Sequence, residues 1–512
     1  MPAESTVSPA STPLTPKDIR SIIIGLMLAI LLGALDSTII SVALPKMAAD
    51  LQGINLLAWV MSGYLIAMAV ATPIYGKLGD IYGRRSVLSS AIVLFLVASV
   101  ACAMAPTMPV LVAARILQGL GGGGLISVAQ ATIADVVSPR DRGRYQAYIS
   151  GAFAVASVSG PVLGGVLTAY LSWRWVFWIN LPLGLIALLI SRRALAKLHV
   201  PQHKRSVDYL GAALLSLGLT AILLAITRAG QQNVPGLDHN SLWMIVIAVV
   251  SLAAFGWHAL RVPEPIVPLG LFRIRTVSIC CLILFIAFVE LVALTVLVPL
   301  ELQMLTSVGA DGAAWRLIPL SLGVPLGAYI SGRLMTHWGT YKHIQLTGAL
   351  LMPIAIFLLA FADPASTFTM AVLLSLIGFS IGLQLPTSTV AVQNAVPHRH
   401  VGVATAASAF CRSLGSAIGI ALLTAFLLIW LRAGAGAIGN GMNGADIINT
   451  LIGHSHTSIQ DIDLSGLAPI ARLSFQKVYM LAAAIATVSI LLSALLKNES
   501  LSEKPAAKSS KE

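Results

Sequence analysis

The sequence predicts an all-α protein that crosses a membrane many times. Three observations carry this. Of its 512 residues, 57% are hydrophobic and only 10% are charged, whereas a soluble domain carries about 25% charged residues. Apolar runs long enough to span a bilayer recur along nearly the whole chain, and helices satisfy their own backbone polar groups in lipid. The Lys and Arg residues gather in short loops between those runs and favour every second loop.

Taken in order, residues 1–19 form a Ser/Thr/Pro-rich polar tail expected to be disordered. No cleavable leader is read there, because the first apolar run follows a polar tail and lacks a clean cleavage site. Spans near 20–43, 56–76, 86–105, 109–133, 145–169 and 174–195 make a first six-helix bundle over 20–195. Residues 196–275 hold two additional spans, near 208–228 and 241–260, with a basic loop before them and a Pro-rich connection after them. Spans near 276–303, 313–334, 342–361, 366–390, 402–431 and 476–496 make a second six-helix bundle over 276–496. That bundle carries an outer loop at 432–475, and a polar tail closes the chain at 497–512. The expected total is fourteen spans.

Orientation follows from counting. With the N-terminus in the cytoplasm, inner segments hold 23 Lys and Arg and outer segments six, while Arg115, Arg316 and Arg412 lie inside spans. This imbalance places both termini inside. It also accounts for the net charge of +12 without nucleic acid, since no basic face forms outside the membrane. Cys102, Cys280, Cys281 and Cys411 all fall in apolar runs and read as small buried residues.

Two segments recur. The charged hairpin Gly76-Lys-Leu-Gly-Asp80-Ile-Tyr-Gly83-Arg84-Arg85 joins spans 2 and 3 as a tight connection, with Gly76 and Gly83 allowing the helix ends to approach. Asp80 can pair with the arginines or with a neighbouring helix end. The skeleton returns 256 residues later, from Gly76 to Gly332, as Gly332-Arg-Leu-Met-Thr-His-Trp-Gly339. A second echo links Asp135–Gly143 to Asn394–Gly402. A hairpin that appears once in each half suggests a duplicated transporter.

An ionisable group inside a span costs roughly 3 kcal/mol or more, so each one is a functional candidate. Asp36 and Arg115 lie about seven and six residues from the outer ends of spans 1 and 4. At ~1.5 Å per residue both sit roughly 10 Å below the outer surface, where they can face one another. The pair reads either as a proton-linked carboxylate tuned by a nearby arginine and by hydration, or as a static ion pair between two spans. Glu290, mid-way along span 9, needs water or a partner such as Arg412 to hold a charge. It reads as a substrate contact, a second proton site, or a hydrogen-bonded buried acid. Gln118 joins Glu290 and Arg412 as candidate cavity residues, and Arg412 alternatively anchors a helix contact. Glu301 and Arg316 read as snorkelling at the outer interface.

Span 5 carries Ala152, Ala156, Gly160 and Gly164 at every fourth position, with Pro161 and Gly165 attached. Such a smooth stripe lets another helix lie close, and it suits a gating contact between the two halves. The Gly119–Gly124 run lies inside an apolar span and lacks the Lys-Ser/Thr of a nucleotide loop. No ATP-binding motif is present, so uphill transport would need an ion gradient. His454, His456, Asp461 and Asp463 in the outer loop make a thin metal signal, and a solvated loop describes them better. No cofactor or metal is expected, and no nucleophile–base arrangement within the spans suggests an enzyme.

These motifs, in this order, resemble the major facilitator superfamily, and within it the fourteen-span drug:proton antiporters. The similarity covers about residues 20–496. It rests on the hairpin 76–85, on Leu111–Gly123 with Arg115 and Gly119, and on Gly160-Pro-Val-Leu-Gly-Gly165. It also rests on Leu35-Asp-Ser-Thr-Ile-Ile with Ala43-Leu-Pro45, and on Trp173–Gly184. The resemblance implies two six-helix bundles that rock about a central cavity, with two extra central helices. It implies proton-driven export of amphipathic or cationic compounds, and so antibiotic resistance, across a bacterial inner membrane. It gives Asp36 and Arg115 the proton-coupling role, and Asp80, Arg84 and Arg85 the role of a cytoplasmic latch. A periplasmic adaptor and an outer-membrane channel are partners it allows. Thr336 stands where the first hairpin has Asp80, so the latch is expected to be one-sided. Export of a single metabolite or siderophore is one alternative, and a non-transporting sensor or scaffold is another.

Overall fold

A backbone in lipid has no water to bond, and this chain meets that constraint by winding into helices. The computed structural model describes residues 15–51, 56–137, 142–198, 208–231, 239–263, 265–267, 269–306, 308, 310–397, 400–437 and 464–498. Among these residues there is no strand. The first half comprises α1 (Pro16–Asp50), α2 (Leu57–Tyr82), α3 (Arg84–Ala103), α4 (Met108–Val136), α5 (Arg142–Tyr170), the short α6 (Trp175–Trp178) and α7 (Asn180–Ala194). Two helices follow, α8 (Tyr209–Gln231) and α9 (His239–Ala259). The second half holds α10 (Arg275–Leu305), α11 (Ala310–Trp315), α12 (Ile318–Trp338), α13 (Lys342–Phe361), α14 (Thr367–Asn394), α15 (Val401–Ala437) and α16 (Leu464–Ala494). Among the described residues, eleven helical segments are long and apolar enough to cross a membrane, α6 and α7 counting together.

The helix ends show local causes. Thr15 caps α1 through a capping box with Asp18, and Pro16 opens the helix. Gly83 alone separates α2 from α3, at φ 83°, a backbone state that favours glycine. The charged hairpin is therefore shorter than its sequence suggests: Gly76, Lys77 and Asp80 sit on the last turns of α2 rather than in a loop. The second copy ends alike, with Gly339 left-handed at φ 66° after α12.

Two other boundaries differ from expectation. Helix α1 runs on to Asp50, seven residues past the expected end at 43. Helix α16 begins at Leu464, so residues 464–475 are helix rather than outer loop. The reason is a buried row one turn apart, Leu467, Ala471, Phe475 and Tyr479, each 0% exposed. His454, His456, Asp461 and Asp463 lie outside the described residues, as do tail residues 1–14 and 499–512.

Each half has its own core. Leu26, Ile30, Leu88, Phe95 and Leu125 centre the first, with Ile40, Met47 and Trp173 toward the other end of α1. Leu294, Leu297, Leu374, Ile377 and Phe475 centre the second. Glycines set the closest approaches. The Gly119–Gly124 run packs α4 between α2 and α3, where a Cβ on Gly123 would stand 2.7 Å from the Met68 carbonyl oxygen and one on Gly121 would stand 2.8 Å from Phe95 N. The halves meet where α15 packs on α2 and α4 and where α5 packs on α12 and α14. Helices α8 and α9 lie over the first of these seams, through Leu215, Leu219 and Phe255 against Val70, Ile74, Phe410 and Leu414.

Candidate functional site

The first half closes around one carboxylate. Asp36 and Arg115 are both 0% exposed. Arg115 Nη1 donates to Asp36 Oδ2 at 2.7 Å and to Gln118 Oε1 at 2.6 Å. Asp36 Oδ1 accepts from Gln118 Nε2 at 2.9 Å and from Asn180 Nδ2 at 2.8 Å. Gln118 Nε2 also donates to Ser99 Oγ at 2.8 Å. The Arg115 guanidinium lies 4.0 Å from the centroid of the Tyr64 ring, and its Nε donates to the Val60 carbonyl at 3.2 Å. Groups from α1, α2, α3, α4 and α7 thus converge on Asp36. Arg115 and Gln118 reach it together because residues three apart share a helix face. Taking an ion pair out of water is tolerable only with good geometry and further hydrogen bonds, which these amides supply.

Sequence reasoning brings Asp36 toward Arg115 by depth alone, and the structure places them in contact. It misses Asn180, Ser99 and Tyr64. Asn180 carries a signal, as a lone amide in the apolar run Trp173–Gly184. Gln118, expected to line a cavity with Glu290 and Arg412, sits instead in the Asp36 network, away from both.

The span-5 stripe also has a different partner from the one expected. A Cβ on Gly160 would stand 2.8 Å from Thr38 Cβ and 3.1 Å from Ile39 N, and Gly164 packs on Ile39 as well. Thr38 Oγ1 donates to the Ala156 carbonyl at 2.9 Å. The stripe therefore clasps α5 to α1 within the first half, two to three residues from Asp36, rather than meeting the other half. Pro161 continues α5, and a Cβ on Gly165 would meet nothing within 4 Å.

At the end of α2, Arg84 bridges two acids, Asp80 at 2.5 Å and Asp135 of α4 at 2.9 Å. The start of α15 abuts them. A Cβ on Gly402 would stand 2.8 Å from the Asp80 carboxyl carbon, and one on Gly76 would collide with Ala406. A carboxylate at a helix N-terminus is favourably placed against the helix dipole. Arg85 is exposed, and among the described residues the ion pairs of this hairpin are made by Arg84. In the second hairpin, Thr336 Oγ1 donates back to its own helix at Gly332 O, 3.0 Å away.

The second half is arranged differently. Glu290 is 0% exposed, and among the described residues neither carboxyl oxygen has a hydrogen-bond partner. It shares a face of α10 with Ile286, Ala293, Leu294 and Leu297 of the apolar core. Arg412 does not reach it; Arg412 Nη2 donates instead to Gln130 Oε1 on α4 at 2.6 Å. Glu301 does not snorkel. It is 1% exposed, pairs with Arg472 of α16 at 2.7 Å and accepts from Tyr479 Oη at 2.8 Å. Arg316 donates to the Pro364 carbonyl at 3.0 Å. Among the described residues, no group of three or more His, Cys, Asp or Glu side chains is placed to hold a metal ion.

Comparison with known proteins adds to this geometry. A family model described as Major Facilitator Superfamily matches residues 26–420. An uncharacterised MFS-type transporter of Mycobacterium tuberculosis is 31% identical over 511 residues, covering 98% of this chain and 74% of that protein. The multidrug transporter protein MdtP of Bacillus subtilis is 32% identical over 407 residues, covering 79% and 75%. Among solved structures, the proton:xylose symporter XylE is similar in fold at a TM-score of 0.60 and 16% identity, over 95% of this chain and 98% of that one.

Proposed function

The chain belongs to the major facilitator superfamily of membrane transporters, and from that premise we propose that it exports small amphipathic organic compounds in exchange for protons. The reading includes fourteen crossings, two six-helix bundles at 20–195 and 276–496, and both termini in the cytoplasm of a bacterial inner membrane. Support for export comes from relatives named as multidrug transporters and efflux pumps. The observation that carries proton coupling is Asp36, fully buried in a span and held by Arg115, Gln118 and Asn180.

The cycle proceeds as follows. A proton from the outer side neutralises Asp36, and the ion pair with Arg115 loosens. Helix α1 is then freed from α4 and carries α5 with it, because Gly160 and Gly164 seat directly on Thr38 and Ile39. Helix α5 packs on α12 of the other half, so the displacement reaches the junction between bundles. The Asp80–Arg84–Asp135 latch parts from α15, the cavity opens inward, substrate binds, and the proton leaves to the cytoplasm. Proton and substrate are the only reactants in this scheme, and no cofactor takes part.

The test is ethidium flux into proteoliposomes under an imposed pH gradient, with wild type beside Asp36→Asn. Gradient-driven flux in wild type that falls to the protein-free background in Asp36→Asn is the expected result. Undiminished flux in Asp36→Asn would remove Asp36 from the coupling step. Absence of wild-type flux across a broad drug panel would move a dedicated metabolite exporter ahead.

A further inference from the structure

Arg412 differs from the other buried arginines of this protein. Arg84 and Arg115 each face a carboxylate oxygen within 2.9 Å. Arg412 is 6% exposed, yet among the described residues no carboxylate pairs with it. Its side-chain hydrogen bond among them goes to a neutral amide, Gln130 Oε1 at 2.6 Å. The ring of Phe288 on α10 lies 5.6 Å from the guanidinium carbon. Helices α4, α10 and α15, from both halves, therefore meet at one cation.

A guanidinium has five N–H donors in a planar fork, and among the described residues a single bond is made here. Among the described residues, Gln130 Oε1 is the acceptor the Arg412 fork is given, and its other N–H groups are left over. Gln130 is 0% exposed and, among the described residues, its Nε2 donor has no partner. Two sets of donors at the junction of the halves thus stand without an acceptor. A lone cation in a low-dielectric setting is costly unless an anion completes it. Guanidinium forks match carboxylates bidentately, and an aromatic face beside the fork suits a flat apolar body.

We propose that Arg412, Gln130 and Phe288 form the binding point for an amphipathic organic acid, with its carboxylate on Arg412 and Gln130 and its ring beside Phe288. The inference rests on the export reading for the site's purpose, but not for its binding chemistry. It changes the expected cargo from cations to weak organic acids. A helix-anchoring role for Arg412 would give no preference between charges.

The experiment uses the purified full chain and three probes of one shape: 2-naphthoate, 2-naphthamide and 2-naphthylmethylammonium. Binding is read by equilibrium dialysis, and proteoliposome flux of each probe is read under a pH gradient. Wild type is expected to hold the carboxylate about tenfold or more tighter than the amide. Arg412→Gln abolishes that preference, Arg412→Lys keeps part of it, and Gln130→Leu weakens it. Amide binding that is equal in wild type and Arg412→Gln reports that the variant is folded. Equal affinity for all three probes, tighter binding of the ammonium, or an unchanged preference in Arg412→Gln overturns the proposal. If Arg412-dependent naphthoate binding holds while no probe moves under any gradient, the export reading fails and the acid site stands. If the ammonium moves under a gradient while naphthoate does not bind, the acid site fails and the export reading stands.

Discussion

Asp36 and Glu290 are both carboxyl groups sealed inside a membrane helix, one in the first helix of each half, yet their surroundings are opposite. Asp36 takes a guanidinium on one oxygen and two amides on the other. Glu290 has no partner on either oxygen among the described residues and shares its helix face with aliphatic side chains. The contrast shows that position within a span measures only the cost of an acid. Partners decide what it can do. A network such as that of Asp36 has a defined state to lose when a proton arrives, whereas an acid without partners has no contact to release.

The largest test of that contrast is Arg115→Leu. It strands the Asp36 carboxylate with two amides and no cation, and losing one partner of a buried pair costs about 3–5 kcal/mol. The melting temperature in detergent is expected to drop markedly, and the double variant Asp36→Asn/Arg115→Leu is expected to recover much of the loss. A single variant as stable as wild type would mean that the amides alone hold Asp36. Glu301→Gln should cost less, about 1–2 kcal/mol. It leaves Arg472, whose side chain is 31% exposed and can turn to solvent, without its acid. Thermal unfolding at two salt concentrations checks this, since a screened residual charge would narrow the gap. The smallest effect, and of opposite sign, is expected for Glu290→Leu. Replacing an unpartnered buried acid by an aliphatic side chain should stabilise by about 1 kcal/mol. A melting temperature that falls instead would reveal that Glu290 has a partner in some other conformation.

Much of this arrangement is legible in the sequence, and the failures share a cause. The succession of spans, the repeated hairpin and the depth match of Asp36 with Arg115 all follow from distance along a helix, which sequence reports well. What sequence reports poorly is azimuth. The Ala152–Gly164 stripe announces a close neighbour but not that the neighbour is α1. Gln118 stands out as a polar residue in a span, but its direction toward Asp36 depends on how α4 is rotated between α2 and α3. Ser99 is invisible as a site residue because a hydroxyl in a span carries little cost, and Asn180, a lone amide in its run, announces a polar group but not its direction toward Asp36. Glu301 is misplaced through a boundary: with span 14 starting at 476, Arg472 falls in a loop, whereas α16 begins at Leu464 and turns Arg472 toward it.

The two additional helices make the molecule lopsided. Among the described residues, the junction of α2 with α15 lies under α8 and α9, while they do not pack on the junction of α5 with α12 and α14. Among the described residues, this pair covers one flank of the junction between the halves and not the other. The two seams between the halves, alike in being helix against helix, therefore do not meet the bilayer alike: one is screened by a helical pair and the other is not screened by it.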